Sequence, residues 1–423
     1  MRVLRLTKIA LVVSVLLLPD YYILESPFRI RTILLAVLLI VYLLDHIFKS
    51  NRTFQMSRDT KNVLLAAYAF LIYIYISDVI KNDPIEAGNI FYPHLLIPVV
   101  LLIFEYRRKS FDLYKVLYLI FGISILFAVL QIIGLRENLS TLIPELGFIK
   151  SDQVISLPGP QGLRVSGAAY SIINFAECLG FLIIITYYRF TEKRNKISIL
   201  SIILMIVVLF FTQTRSAIYG LVPSIFLVGL YYRRKNFKEV LRLAIFLVIV
   251  FFTVSLFSNL IEKSFHRLTT LSDWTVIERM QTNYYAMLGV WRRAPIFGIP
   301  KEMAWDVISR TAWEEGLIFG DILRISATHH NQVLYYFRYY GFVGLGLLML
   351  LYYMIFRKIV HSSQLVTKMI LLSIFLFDFQ YSLGHNNKLI NNIILWILLS
   401  LTTVAVQNKL RNATGNSVSL PVV

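Results

Sequence analysis

Long apolar runs separated by short polar connections organise the chain. Windows at 7–24, 29–47, 62–80, 92–106, 112–134, 166–188, 197–213, 216–232, 239–260, 332–355, 365–383 and 389–407 are predominantly hydrophobic. A helix needs about 20 such residues to cross the hydrocarbon core of a bilayer. The pattern therefore predicts an all-α polytopic membrane protein with about twelve transmembrane helices, the window at 92–106 being the shortest. The first run follows a basic start, as in a secretory signal, but no small-residue cleavage site follows it, so it reads as an uncleaved first helix. The expected organisation is five spans in 1–134, a first outer loop at 135–165, four spans in 166–260, a large loop at 261–331, and three spans with a tail in 332–423.

The large loop is too long to be a mere connection. Within it, "WTVIERMQTNYYAMLGVWRR" sets Ile277, Met280, Tyr284, Leu288 and Trp291 at helical spacing, which predicts an amphipathic helix. Its aromatic content suits a membrane interface as well as a catalytic surface.

Composition agrees with the pattern, since 57% of the 423 residues are hydrophobic and 16% are charged. A soluble domain carries a far more polar mixture. One cysteine, Cys178, lies inside an apolar run, which excludes an intrachain disulfide and a thiolate metal cluster. Charge orients the chain. On alternate connections, 25 of the 42 lysines and arginines fall on the side that holds both termini, which by the positive-inside rule is the cytoplasm. The loops 135–165 and 261–331 then face outward. Much of the net charge of +18 is accounted for by this topology signal and by attraction to the membrane surface, and no basic stripe interleaved with aromatics points to nucleic acid.

Ionisable residues at membrane level mark function by default. Arg215, in "LFFTQTRSAIYG", interrupts an apolar run at the outer turn between spans seven and eight. An arginine there either snorkels to headgroups or, with Thr212 and Thr214 ahead of a helix whose positive end points outward, forms an anion site suited to a diphosphate. His330 is expected to stand in the same relation to span ten, beside His329 and Asn331, with its N-terminal turn facing outward. The positive end of that helix favours the neutral ring, which can accept a proton; a histidine at a helix start is also an ordinary interfacial residue. Arg164 lies just ahead of span six, Arg279 lies on the large loop, and His385, in "SLGHNNKL", ends span eleven. Acidic candidates on this face include Asp273, Glu278, Glu314, Glu315 and Asp321, but the adjacent carboxylates of "WEEG" diverge on a helix and make a poor metal pair. The simpler expectation is chemistry with no metal and no other cofactor. The chain also lacks a glycine-rich nucleotide loop.

These residues together resemble a known family. "FTQTRSAIYG" is similar to the Thr/Ser-Arg block, and "HHNQVLYYFRYYGFVGLGLL" to the His-Asn block, of the O-antigen ligase and O-antigen polymerase superfamily. "ERMQTNYYAMLGVWRRAPIFGIP" resembles the family stretch in which an arginine precedes a helix and a Pro-x-x-Gly turn. Order and spacing match over roughly residues 160–400; Pro300 replaces the usual second glycine, and Tyr340 sits where an acidic residue is common. The resemblance implies a GT-C-like fold in a bacterial inner membrane and inverting glycosyl transfer from an undecaprenyl diphosphate-linked oligosaccharide on the periplasmic face. Carried onto matching positions, Arg215 and Arg279 would bind the diphosphate and His330 would activate the acceptor hydroxyl. Arg164 joins the diphosphate site by its location, with His329, Asn331 and His385 as accessory residues. The implied partners are the lipid-linked donor, an acceptor glycolipid, the membrane, and chain-length regulator and flippase proteins. A polymerase, extending a second lipid-linked glycan, is favoured by the room that loop 135–165 offers. A ligase, transferring to lipid A core, is the alternative within the class. A flippase or transporter is the alternative outside it, with neither related halves nor midplane-broken helices evident in the sequence.

Overall fold

The computed structural model describes residues 2–17, 30–49, 56–81, 94–106, 112–133, 165, 167–168, 172–193, 196–212, 214–233, 245, 274–317, 331–384 and 392–403. Every regular element among them is helical. In chain order these are α1 (Arg2–Leu17), α2 (Ile30–Lys49), α3 (Arg58–Lys81), α4 (Val99–Glu105), α5 (Leu113–Ile132), α6 (Ile172–Lys193) and α7 (Lys196–Phe211). They continue with α8 (Arg215–Arg233), α9 (Trp274–Arg293), α10 (Ala304–Glu314), α11 (Gln332–Val360), α12 (Leu365–Gly384), α13 (Ile393–Leu399) and a closing 3-10 turn, Ser400–Thr403. The helices α2, α3, α5, α6, α11 and α12 are long and apolar enough to cross a membrane, and α7, α8 and α13 fall in shorter apolar helices. The protein is thus a helical, multi-pass membrane protein. All of the expected loop at 135–165 except Val165, and most of the expected span at 239–260, lie outside the described residues.

Local sequence explains where several helices begin. Ser57, Asp112, Asn331 and Asn392 each accept a hydrogen bond from the backbone N–H three residues on, at about 3.1 Å. These short polar side chains satisfy donors that a first helical turn leaves unpaired.

The helices α6 and α12 form the centre of the bundle. α6 packs on α7, α8 and α12, while α12 also packs on α8, α11 and α13. Gly180 lets Phe377 come so near that a Cβ would stand 2.3 Å from its ring. The Tyr188 hydroxyl meets Ser373 Oγ at 3.0 Å and the Ile225 carbonyl at 3.3 Å, tying α6, α12 and α8 together. By contrast, α2 and α5 expose Ile40, Leu43, Ile47, Leu119 and Leu126, as helices facing acyl chains do.

At one end of the bundle, Lys358 Nζ pairs with Glu105 Oε1 at 2.6 Å, both side chains being 2% exposed. Thr60 joins the pair at 2.7 Å from Lys358 and 2.8 Å from Glu105. The cluster pins α11, α4 and α3 to one another.

Candidate functional site

Helix α11 is two helices. Gly341, with φ 61° and ψ −159°, breaks it into 332–340 and 342–360. The second piece runs antiparallel to α3, with Gly344 beside Tyr73 and Lys358 beside Thr60. The first runs parallel to α3, with Tyr336 stacked edge to face on Phe70 and Tyr340 bonded to Asp78. Residues 332–340 therefore rise toward the Lys81 end of α3, and the chain reverses at Gly341. The sequence predicted a single span over 332–355; the structure breaks it at Gly341 and buries Gln332, 1% exposed, with its Oε1 accepting from the Tyr352 hydroxyl at 3.4 Å.

A break of this kind leaves backbone groups unpaired, which is tolerated at membrane depth only where protein supplies partners. Here the partners come from the Pro-x-x-Gly turn after α9 and from α3. The Ile299 N–H donates to the Arg338 carbonyl at 2.9 Å, the Phe342 N–H to the Pro295 carbonyl at 2.8 Å, and the Val343 N–H to the Ile296 carbonyl at 3.2 Å. The Tyr339 carbonyl accepts from Lys81 Nζ at 2.8 Å, and the Tyr340 carbonyl from the Tyr73 hydroxyl at 2.9 Å. Lys81 also donates to the Phe297 carbonyl. A cation over the last carbonyls of a helix also meets its negative dipole end. Only glycine fits at the crossing: a Cβ on Gly341 would lie 2.2 Å from the Ile296 carbonyl oxygen, and one on Gly298, φ 74°, would lie 2.5 Å from the Tyr339–Tyr340 peptide.

Tyr340 holds an acidic side chain by hydrogen bond. Its hydroxyl donates to Asp78 Oδ2 at 3.1 Å, and Lys301 Nζ pairs with the same oxygen at 2.9 Å.

Beneath the start of α11 lies a second polar group. Asn392 spends its Oδ1 on capping α13 and donates from Nδ2 to Glu177 Oε1 at 2.8 Å and Asp378 Oδ1 at 2.7 Å. The Tyr352 ring packs edge to face on Phe375 and Phe379, at 5.7 and 5.3 Å. Through Tyr352, which also bonds Gln332, the first turn of α11 is tied to α12.

The α7–α8 turn forms the third element. Thr212 and Thr214 are buried, and the Thr214 carbonyl accepts from the Ala217 and Ile218 N–H groups at 3.1 and 3.3 Å as α8 begins at Arg215. The Val165 N–H donates to the Phe211 carbonyl at 3.1 Å, which brings the residue after Arg164 to the turn ahead of Arg215. Gln131 clamps Gly167 from α5, giving 2.9 Å to its carbonyl and accepting from its N–H at 3.1 Å.

On the α9 side, Arg279 is exposed near the start of the helix. Glu314 and Glu315 are held by Arg293 and Arg292 at 2.7 and 2.6 Å. α9 packs against α10 and α11, which links Arg279's helix to the reversal. Burial, the neighbouring Tyr284 and the nearby Glu315 raise the Tyr285 phenol above its ordinary range. The predicted residues Arg164, His329, His330 and His385 lie outside the described residues, as do Asp273 and Asp321.

Residues 200–349 match a family model described as O-antigen ligase. No curated protein gives a significant match to the chain. The matched stretch runs from α7 to just past the reversal, and so contains the Arg215 turn, α9, the Pro-x-x-Gly turn and the first half of α11. Tyr73, Asp78 and Lys81, which complete the reversal, come from α3, outside it. Sequence reasoning named none of those three, nor Glu177, Asp378 and Asn392. For Asp78, Glu177 and Asp378 the signal was available, as acidic side chains inside apolar windows.

Proposed function

We propose that the protein is an inverting glycosyltransferase that moves a glycan from undecaprenyl diphosphate to an acceptor sugar hydroxyl. The observation that carries this reading is the family match, which spans in one stretch the turn leading to Arg215, the helix bearing Arg279 and the residues ahead of Asn331. In this reading about twelve spans place both termini in the cytoplasm of a bacterial inner membrane, and the site faces the periplasm.

His330 takes the proton of the acceptor hydroxyl as its oxygen attacks the anomeric carbon. The bond from that carbon to the diphosphate oxygen breaks on the opposite face, which inverts the configuration. Arg215 and Arg279, with Arg164, neutralise the departing diphosphate. Fixed guanidinium forks stabilise charge that develops in the transition state, and this term alone can serve where other enzymes use a metal. His329, Asn331 and His385 line the acceptor side, and Asn331 in addition caps α11. Chain-length regulator and flippase proteins act beside it.

The acceptor in this reading is a second lipid-linked glycan, which makes the protein a polymerase. The description of the matching family favours a second reading, a ligase that transfers to lipid A core. Purified protein in nanodiscs, supplied with lipid-linked repeat units and chelator, decides between them. A ladder of longer lipid-linked chains is expected. Product formed only when lipid A core is added would establish the ligase, and no product with either acceptor would overturn glycosyl transfer.

A further inference from the structure

Helix α9 turns Met280, Tyr284, Met287 and Trp291 away from the protein. The side that meets α10 is built of small groups: Thr282, Ala286 and Val290 are buried, and a Cβ on Gly289 would stand 2.7 Å from Thr311 Oγ1. Met280, Tyr284, Met287 and Trp291 are instead 68, 51, 46 and 60% exposed. At helical spacing they form one stripe about 60° wide. Left in water, such a stripe forfeits the stabilisation that burying it would provide.

The stripe is continuous with a lipid-facing surface. At its last member Trp291 meets Phe342 edge to face, ring centroids 5.7 Å apart. Phe342 opens the exposed row Phe342, Met349, Tyr353 and Phe356 along the second half of α11, which on a membrane-crossing helix faces acyl chains. Ile296 and Phe297, in the turn that follows α9, are exposed as well. Polar groups flank the stripe, Arg292 among them, paired with Glu315.

We infer that α9 is an interfacial helix, its Met280–Tyr284–Met287–Trp291 stripe seated in the headgroup and upper acyl region of the leaflet at the Gly341 end. The occupant is the lipid bilayer itself. A tyrosine and a tryptophan, Tyr284 and Trp291, within an apolar stripe suit that boundary, where one edge of the ring is wet. The inference stands apart from the proposed glycosyl transfer.

The test is spin-label accessibility in phosphatidylcholine–phosphatidylglycerol nanodiscs. Single cysteines are introduced on a Cys178→Ala background as Tyr284→Cys, Met287→Cys and Arg292→Cys, with Met349→Cys as the acyl-facing standard. Collisions with molecular oxygen, which partitions among acyl chains, are expected to exceed those with a water-soluble nickel chelate at 284, 287 and 349. At 292 the order reverses. A label at 287 that follows 292 rather than 349 overturns the inference. Low accessibility to both reagents at 284 and 287 would mean that protein covers the stripe, and overturns it equally.

Discussion

The Tyr352 hydroxyl donates to Gln332 Oε1 at 3.4 Å, although the two residues are 20 apart in α11. An unbroken helix would hold them about 30 Å apart. The reversal at Gly341 removes that distance and brings the Asn331-capped turn back against Tyr352, which packs on α12. A helix start inside a bundle offers unpaired N–H groups and a positive dipole end to whatever enters there. Geometry at the Asn331 turn therefore depends on a crossing of two glycines that touch no substrate in the proposed reaction.

Gly341→Ala tests that dependence. Its φ and ψ lie in a region reserved for glycine, which costs about 1–3 kcal/mol for another residue. The added methyl would also meet the Ile296 carbonyl, so the turn must move. The expected outcome is a lower thermal unfolding midpoint in nanodiscs and loss of glycan transfer. Gly346→Ala, where nothing lies within 4 Å of the new methyl, should leave both unchanged.

Lys81→Met tests the partner that closes the break. The substitution strips a donor from the Tyr339 and Phe297 carbonyls, at about 1–3 kcal/mol for a group left unsatisfied. Hydrogen exchange reads it directly, with faster exchange expected at the Ile299, Phe342 and Val343 amides that join the turn to α11. Lys81→Arg keeps a cationic donor and should lose less protection.

The spans were legible because apolar length is what a bilayer selects. Windows at 29–47, 62–80 and 112–134 fall on α2, α3 and α5 within a few residues. The window at 332–355 hid the reversal, since glycine is ordinary in membrane helices and "YYFRYYGFVGLG" stays apolar through Gly341. What decides the break is the backbone of residues 295–299, some 40 positions away, and hydropathy carries no record of such pairing. Arg338 was the missed clue. It lies inside the apolar window, is 1% exposed and sits 5.1 Å from the Tyr339 ring, a place for a guanidinium that a plain lipid-facing span does not offer. For α9 the helical period was legible, but which face turns inward was not. Ala286 and Gly289, with Tyr285 beside them, make its contact with α10, while Met280, Tyr284, Met287 and Trp291 face away.

The proposed chemistry predicts separable losses. His330→Ala should lower the rate of transfer by about 10²–10⁴-fold, the usual worth of a general base, with lipid-linked donor still bound. Arg215→Lys should lose activity as well, because a lysine keeps the charge but not the planar fork that matches a diphosphate. Single-turnover product formation and donor binding, measured on the same nanodiscs, distinguish the two. Unchanged transfer in His330→Ala removes it as the base.

The Lys358–Glu105 pair offers a prediction about the fold that does not involve the chemistry. Both side chains are 2% exposed and 2.6 Å apart, and Thr60 hydrogen-bonds to each. Removing one partner leaves an uncompensated charge in a low-dielectric setting, which typically costs about 3–5 kcal/mol, whereas replacing both with apolar groups of similar volume is often neutral. Glu105→Leu alone should therefore lower the unfolding midpoint more than Glu105→Leu combined with Lys358→Met, even though the double variant deletes more native contacts. A double variant less stable than either single would mean that the pair contributes net stability of its own. The singles also differ in kind. Lys358 stands near the end of α11 whose other half carries the reversal, so Lys358→Met frees the foot of that helix, while Glu105→Leu loosens α4. Glycan transfer should fall further in Lys358→Met than in Glu105→Leu at matched stability, because only the first loosens the helix that positions the Asn331 turn.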